Sequence, residues 1–186
     1  LLHWVVELYN QQKFQQAFNK AQTLTKRYNK SLALWNLIGA SAAKIEKPDE
    51  AVLAFQKALS IKPDYAEAHY NLGNALKAQE KLEEAIESYN MAISIKPDHA
   101  EAHHNLSKIK KYTEEDKQFL QVQELYKSEN MSEDKRCSLS FALAKMYEDI
   151  GKLDYAFSHL IEGNALRKKL LKYSISQDIE FFNRLK

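Results

Sequence analysis

The stretch that decides the fold is AEAHYNLGNALKAQEKLEEAIESYNMAISIKPD, residues 66–98. Its residues recur along the chain at a spacing of 34 positions, as in Ala17, Ala51 and Ala85. The same spacing separates further pairs: Gly39 and Gly73, Phe55 and Tyr89, Pro63 and Pro97, Asn71 and Asn105. Self-similarity at this period is typical of stacked helix–turn–helix units, each burying its apolar face against the next. The sequence therefore predicts an all-helical repeat array rather than a globular enzyme core.

Composition narrows the class of protein. Lys and Arg number 27 against 25 Asp and Glu, and this net charge of +2 argues against a general nucleic-acid binder. No apolar run approaches the roughly 18 residues that a membrane span needs, and LLHWVVELYNQQ lacks the basic start of a secretory signal. The single cysteine, Cys137, excludes an internal disulfide framework. We expect a cytoplasmic protein that engages neither membranes nor nucleic acid.

Residues 66–98 resemble a full tetratricopeptide repeat (TPR). The resemblance implies an all-α, right-handed α-α superhelix of about five helix pairs, with a terminal helix. The period predicts three units over residues 1–99, the first truncated, and a degenerate fourth pair over 100–136. A fifth unit follows over 137–170. A terminal helix over 171–186 is expected to lead to a downstream domain that this chain lacks.

Small residues, prolines and turn residues give local expectations. We predict close helix approach at Gly39 and Gly73, and helix ends before Pro63 and Pro97. Glu46 and Glu80 occupy the turn position where TPRs usually carry glycine, and a left-handed conformation there would cost each of them roughly 1 kcal/mol. Thr113 opens the sequence Thr-Glu-Glu-Asp, a pattern that predicts a helix starting near residue 114. Large apolar residues are expected in buried layers, among them Leu53, Ile61 and Leu82.

By the same resemblance, the first helix of each pair lines a concave face. The candidate peptide-binding residues are Asn36, Lys44, Tyr70, Asn71, Asn74, Lys77, His104, Asn105, Lys108 and Lys111, with Tyr112 and Lys145 beside them. Asparagine amides donate and accept at once and can pair with the backbone of an extended peptide, while lysines attract carboxylates. We expect the partner to be a protein or an extended, acidic peptide. The alternative is a solvated face with structural asparagines.

Nothing in the sequence predicts a metal site or a catalytic site. His99, His103 and His104 are close in sequence, but no Cys or carboxylate completes a ligand set. Cys137 lacks an identifiable histidine partner and is predicted to be a packing residue.

Residues 112–186 resemble the region that links TPR arrays to the catalytic domain in bacterial TPR–sulfotransferase proteins. The matching features are Tyr112–Asp116, Phe141–Lys145, Gly163–Asn164 with Arg167, and Tyr173–Asp178. The resemblance implies that this chain recruits a polypeptide acceptor. It assigns the sulfate donor, 3′-phosphoadenosine 5′-phosphosulfate, to a downstream domain.

No Gly-rich phosphate loop occurs in this chain, so we expect it to have no transferase activity and to hold no cofactor itself. Two other interpretations stay open: a stand-alone TPR scaffold for protein assembly, and the TPR arm of an O-linked sugar transferase. The irregular connector over residues 112–186 favours the sulfotransferase interpretation, because a sugar transferase arm would be expected to continue regular repeats.

Overall fold

The structure is a computed structural model that describes residues 1–172, and in this range the chain forms ten α-helices and no strand. The helices are α1 (Leu2–Asn10), α2 (Phe14–Thr25), α3 (Leu32–Lys44), α4 (Pro48–Ile61), α5 (Ala66–Ala78), α6 (Leu82–Ile95), α7 (Ala100–Ser107), α8 (Lys117–Tyr126), α9 (Glu133–Asp149) and α10 (Leu153–Leu170). The prediction of an all-α fold is confirmed. The predicted terminal helix and the Tyr173–Asp178 match lie, from residue 173 onward, outside the described residues.

The chain divides into two compact units, Leu1–Pro97 and Asp98–Lys186, called here the N-terminal and the C-terminal unit. In the N-terminal unit each helix packs on the next, from α1 on α2 through α5 on α6, and α3 also contacts α5. In the C-terminal unit α9 is the central helix, because α7, α8 and α10 all pack against it.

The repeated glycines of the N-terminal unit allow close packing of helix pairs. A Cβ atom on Gly39 would lie 2.6 Å from the Phe55 ring, and one on Gly73 would lie 2.7 Å from the Tyr89 ring. Real Cβ atoms do not approach that closely, so the prediction of close approach at both glycines is confirmed. An aromatic ring of the second helix fills the space that a side chain on the first would occupy.

The turns within helix pairs share one backbone conformation, with a positive φ angle at the middle residue. Gln12, Glu46 and Glu80 have φ angles of 60°, 57° and 61°, and Gly151 has a φ of 77°. Each lies two residues after one helix ends and two residues before its partner begins. Glu46 and Glu80 thus adopt the left-handed conformation, at a cost of roughly 1 kcal/mol per residue.

The second helices of the middle pairs end where the prolines predict. α4 ends at Ile61 and α6 at Ile95, each two residues before a proline, and the intervening Lys62 and Lys96 leave the helical region. This agrees with the restriction that proline places on its predecessor. The predicted burial of Leu53, Ile61 and Leu82 is wrong, since all three are exposed on the outer side of their helices.

The start of α8 differs from the prediction. The helix begins at Lys117, and the carboxylate of Asp116 accepts a hydrogen bond from the backbone N–H of Gln118 at 2.9 Å. Asp116, not Thr113, is therefore the N-cap. Both residue types can cap a helix, and the carboxylate nearer the first apolar residue of the helix, Phe119, takes the role.

Tyr112 is not on an open face as predicted, because its side chain is buried in the C-terminal core with Phe119, Leu139 and Met146. Its hydroxyl donates to Gln118 Oε1 at 2.9 Å, and Gln118 Nε2 contacts buried His103 Nδ1 at 3.2 Å. Burial raises the pKa of Tyr112, with a further contribution from Asp116. This network gives His103 a structural partner inside the unit.

Candidate functional site

The candidate residues of the N-terminal unit lie on two helices in direct contact. Asn36 and Lys44 are on α3, and Tyr70, Asn71, Asn74 and Lys77 are on α5. We call these six residues the α3–α5 surface. Because α3 and α5 are one repeat apart, residues at equivalent positions follow one another across the surface, as Asn36 and Tyr70 do.

Tyr70 and Asn74 have structural roles on this surface. The hydroxyl of fully buried Tyr89 donates to Asn74 Oδ1 at 2.8 Å, and the Tyr70 ring lies 6.2 Å from the Tyr89 ring. Burial, followed by the proximity of Tyr70, raises the pKa of Tyr89, so its hydroxyl keeps its proton. The Asn74 oxygen therefore stabilises the packing of α5 against α6.

Asn36 and Asn71 differ from Asn74. The Oδ1 atom of Asn36 is buried and accepts no hydrogen bond within residues 1–172. Asn71 is half-buried and its side chain makes no hydrogen bond in the described part of the chain. A buried acceptor without a donor is costly, by about 1–3 kcal/mol. The enclosed Asn36 oxygen is out of reach of a ligand, so of these two amides only Asn71 is open to one.

Lys77 provides a cation at the C-terminal end of α5. Its side chain is half-buried, and that burial lowers the pKa of its ammonium group. None of the described residues forms an ion pair with it. A partly desolvated ammonium without a carboxylate nearby is stabilised by any carboxylate that a ligand brings. Lys44, at the end of α3, is exposed.

Beside this surface is a shallow cavity of about 380 Å³. Its lining is mostly small: Ala43, Glu46, Pro48, Ala51, Asn74, Ala75 and Ala78. Across the neighbouring turns, Gln79 Nε2 donates to Asp49 Oδ1 at 2.6 Å, tying the end of α5 to the start of α4. An alanine floor of this kind has room for peptide backbone or for a small side chain.

The candidate residues of the C-terminal unit are arranged differently. His104 and Asn105 lie on α7, while Lys108 and Lys111 follow its end at Ser107. Lys108 Nζ donates to Asn105 Oδ1 at 3.3 Å. These residues therefore lie along a helix end rather than along one helix face.

Lys111 is already engaged with a carboxylate of its own unit. Its Nζ atom lies 2.8 Å from Asp149 Oδ1, and Lys145 Nζ lies 2.6 Å from the same oxygen. Burial acts to raise the pKa of Asp149, but the hydrogen bonds from the two ammonium groups outweigh it and the pKa is lowered. Lys111 thus ties the segment after α7 to the end of α9, where Lys145 of the same helix shares the carboxylate.

A second cavity, of about 600 Å³, lies between α7, α9 and α10, and the sequence alone did not predict it. Its wall is the Phe141 ring, which stacks on His104 at 5.5 Å and carries the Arg167 guanidinium at 4.6 Å. Lys108 lines one side, and Glu148 and Asp154 line another. The spacing of Leu153, Phe157 and Leu160 on α10 was the available signal for its apolar floor. With both signs of charge at its rim, this cavity does not select for acidic ligands.

Other side chains examined for chemistry have structural partners. Within residues 1–172, no three His, Cys, Asp or Glu side chains are grouped to hold a metal ion. His99 Nδ1 pairs with Glu101 Oε2 at 3.1 Å. The Cys137 thiol donates to the Gly163 carbonyl at 3.4 Å, and burial raises its pKa.

Among the described helices, none has the length and apolar character to cross a bilayer.

Comparison with known proteins places the repeats in a family. The tetratricopeptide repeat model matches residues 66–99, and a TPR repeat model matches residues 45–79. A curated relative, the peroxisomal targeting signal receptor of Candida albicans, is 52% identical over 40 residues, which are 22% of this chain and 7% of the receptor. The chain therefore matches only a small part of that protein's length.

Solved structures share the helix-pair architecture. MamA superposes with a TM-score of 0.65 at 20% identity, covering 90% of this chain and 96% of MamA. The first TPR of Spaghetti (RPAP3), bound to the HSP90 peptide SRMEEVD, has a TM-score of 0.56 at 22% identity, covering 57% of this chain and 85% of that one. Residues 45–99 carry tetratricopeptide repeats. At identities of 20% and 22%, the likeness to the solved structures shows a shared fold and says nothing of function.

Proposed function

We propose that this chain is a peptide-binding TPR module and that the α3–α5 surface is its binding site. The observation that carries the proposal is the unpaired, half-buried ammonium of Lys77 on the same surface as the half-buried amide of Asn71, which makes no hydrogen bond in the described part of the chain. Asn71 adds a donor and an acceptor that the fold does not use. The other amide of the surface, Asn74, serves the fold and keeps Tyr89 in place.

The chemistry of the site defines the class of ligand. The half-buried Asn71 amide can pair with an extended peptide backbone irrespective of its side chains, because it both donates and accepts hydrogen bonds. Lys77 favours a carboxylate, either an acidic side chain or a chain terminus. The alanine-lined cavity next to Asn74 accommodates small groups between these polar contacts. The ligand is therefore an extended peptide with an acidic residue placed to meet Lys77.

Two related proteins support this class of ligand. The relative with 52% local identity is named as a receptor for a targeting signal, and one similar structure holds the peptide SRMEEVD, which contains two glutamates and an aspartate. Each of these facts describes the related protein and not this chain. They make peptide binding the leading function to test for this chain.

Fluorescence anisotropy with labelled peptides tests the proposal. Acidic tyrosine-containing peptides, scrambled versions of them and basic peptides are titrated with the wild type and with Lys77→Met, Asn36→Ala and Asn71→Ala variants. Loss of a charge-assisted contact is worth about 1.5–3 kcal/mol, so Lys77→Met is expected to weaken binding of an acidic peptide roughly tenfold or more. Lys57→Met, which removes an exposed lysine from α4, is the matched control and should bind normally. Equal affinity of Lys77→Met and wild type would contradict the assignment.

The narrower proposal concerns the full-length protein. Residues 112–186 support an N-terminal acceptor-recruiting region of a sulfotransferase, with 3′-phosphoadenosine 5′-phosphosulfate bound by a catalytic domain outside this sequence. In that arrangement the α3–α5 surface holds the acidic peptide that receives the sulfate. Sequencing the coding region beyond Lys186 tests it. A strand followed by a phosphate-binding loop supports the proposal, whereas a glycosyltransferase domain or a stop codon favours the sugar transferase arm or the scaffold.

A further inference from the structure

The second cavity, between α7, α9 and α10, is lined by positions that are covered in the N-terminal unit. The positive-φ residues Glu46 and Gly151 mark equivalent turns, so each α10 residue has an α4 counterpart at the same distance from its turn. Both α3 and α5 pack against α4, and its residues Ala51, Val52 and Phe55 are only 0%, 8% and 1% exposed. In α4, these positions therefore belong to the core.

The counterparts of these residues on α10 are open. Ala156 is half-buried, while Phe157 and Leu160 are 64% and 41% exposed. All three line the cavity, beside Ala144 and the Phe141 ring of α9. Of the described helices, α9 alone packs extensively against α10. The cavity therefore has the place that a following helix takes beside α4, and it presents large apolar side chains there.

A polar contact shows the same contrast at the start of each helix. Asp49, in the first turn of α4, accepts a hydrogen bond at 2.6 Å from Nε2 of Gln79, which directly follows α5. This bond joins the start of one helix to the end of the next, so α4 and α5 run antiparallel. The counterpart of Asp49 is Asp154, in the first turn of α10 and at the rim of the cavity. Within residues 1–172 its carboxylate makes no hydrogen bond or ion pair.

We propose that the second cavity binds an amphipathic helix of a partner protein, which runs antiparallel to α10. The apolar face of this helix covers Phe157 and Leu160, because burial of exposed apolar side chains drives helix-in-groove binding. A Gln, Lys or Arg side chain at its C-terminal end donates to Asp154, as Gln79 donates to Asp49. This partner differs from the extended peptide proposed for the α3–α5 surface, and the inference is independent of that site.

A peptide with the sequence of residues 66–79, which is α5 followed by Gln79, is the probe for this chemistry. Isolated helices of this length are marginally stable in water, so we expect weak binding. Two-dimensional NMR of the isotope-labelled full chain detects weak binding and locates it by residue. The peptide should shift the amide signals of Ala144, Ala156 and Leu160, whereas a scrambled peptide of the same composition should not.

Paired substitutions test the predicted contact with Asp154. Asp154→Ala in the chain, or Gln79→Ala in the peptide, should each weaken binding about tenfold, as expected for a lost hydrogen bond to a charged group. The two changes together should cost no more than one of them, because both remove the same contact. Strictly additive effects would overturn the proposed orientation of the helix and with it the proposal.

Apolar variants complete the design. Phe157→Ser should abolish binding, whereas Leu120→Ser, which removes an exposed apolar residue from α8, should leave it unchanged. Both side chains are exposed, so neither substitution threatens folding. Full affinity of Phe157→Ser, or no shift at the cavity even at millimolar peptide, overturns the proposal. So does binding that appears only after removal of residues 173–186, because the chain itself would then occupy the cavity.

Discussion

At the scale of single residues, two side chains of the same type have opposite roles on the α3–α5 surface. Asn74 accepts from the Tyr89 hydroxyl and belongs to the packing, while the Asn36 oxygen is buried without a donor. The sequence placed both on the first helices of their pairs but could not separate them. What distinguishes them is their place in the repeat, because Asn36 is the equivalent of Tyr70, whereas the equivalent of Asn74 in the preceding pair is Ala40. The two pairs differ together at these positions, since Phe55 stands at the position of Tyr89 and has no hydroxyl to donate.

The same difference gives a prediction for the two packing glycines. Gly73→Ala would place a methyl group 2.7 Å from a Tyr89 ring that is fixed by its bond to Asn74. We expect the free energy of unfolding, measured in urea, to fall by about 1–3 kcal/mol despite the better helix propensity of alanine. Gly39→Ala meets Phe55, a ring without such a bond, and should cost less. A stability of Gly73→Ala equal to that of the wild type would show that the Tyr89 ring yields freely.

At the scale of helices and turns, the 34-residue period predicted the helix pairs and the helix ends before Pro63 and Pro97. It did not predict which apolar residues are buried. Leu53 and Leu82 are exposed, because which positions of a helix are covered depends on how its neighbours pack against it. The contact between Lys111 and Asp149 was equally hidden, because the two residues are distant in sequence. Spacing within one helix is local information, whereas these contacts depend on packing.

The helix-pair turns offer a matched test of backbone strain. Glu80 has a φ of 61° and no ion pair in the described residues, and Gly151 has the equivalent position in the α9–α10 turn with a φ of 77°. Glu80→Gly should therefore raise the free energy of unfolding by up to about 1 kcal/mol. Gly151→Ala should lower it by a similar amount, since no atom lies within 4 Å to cause a clash. Thermal and urea unfolding measure both, and changes of the same sign would argue against backbone strain as the cause.

At the scale of the whole molecule, the two compact units divide the candidate site residues. Asn36, Asn71 and Lys77 belong to Leu1–Pro97, whereas His104, Asn105, Lys108 and Lys111 belong to Asp98–Lys186. Repeat proteins are stabilised by contacts within each repeat and with its neighbours, so a set of three helix pairs can fold without the rest. The N-terminal unit should therefore carry the peptide site by itself.

A fragment of residues 1–97 tests this division directly. We expect it to be helical by circular dichroism, to unfold cooperatively, and to bind an acidic peptide within about threefold of the full chain. Lys77→Met should lower the peptide affinity of the fragment as much as that of the full chain, because Lys77 lies inside the N-terminal unit. A requirement for residues after α6 would contradict this expectation. If the folded fragment binds more than about tenfold more weakly, a loss of about 1.4 kcal/mol, then residues beyond Pro97 are needed for full affinity. Asn105→Ala in the full chain separates these outcomes, since it should leave affinity unchanged only if the α3–α5 surface suffices.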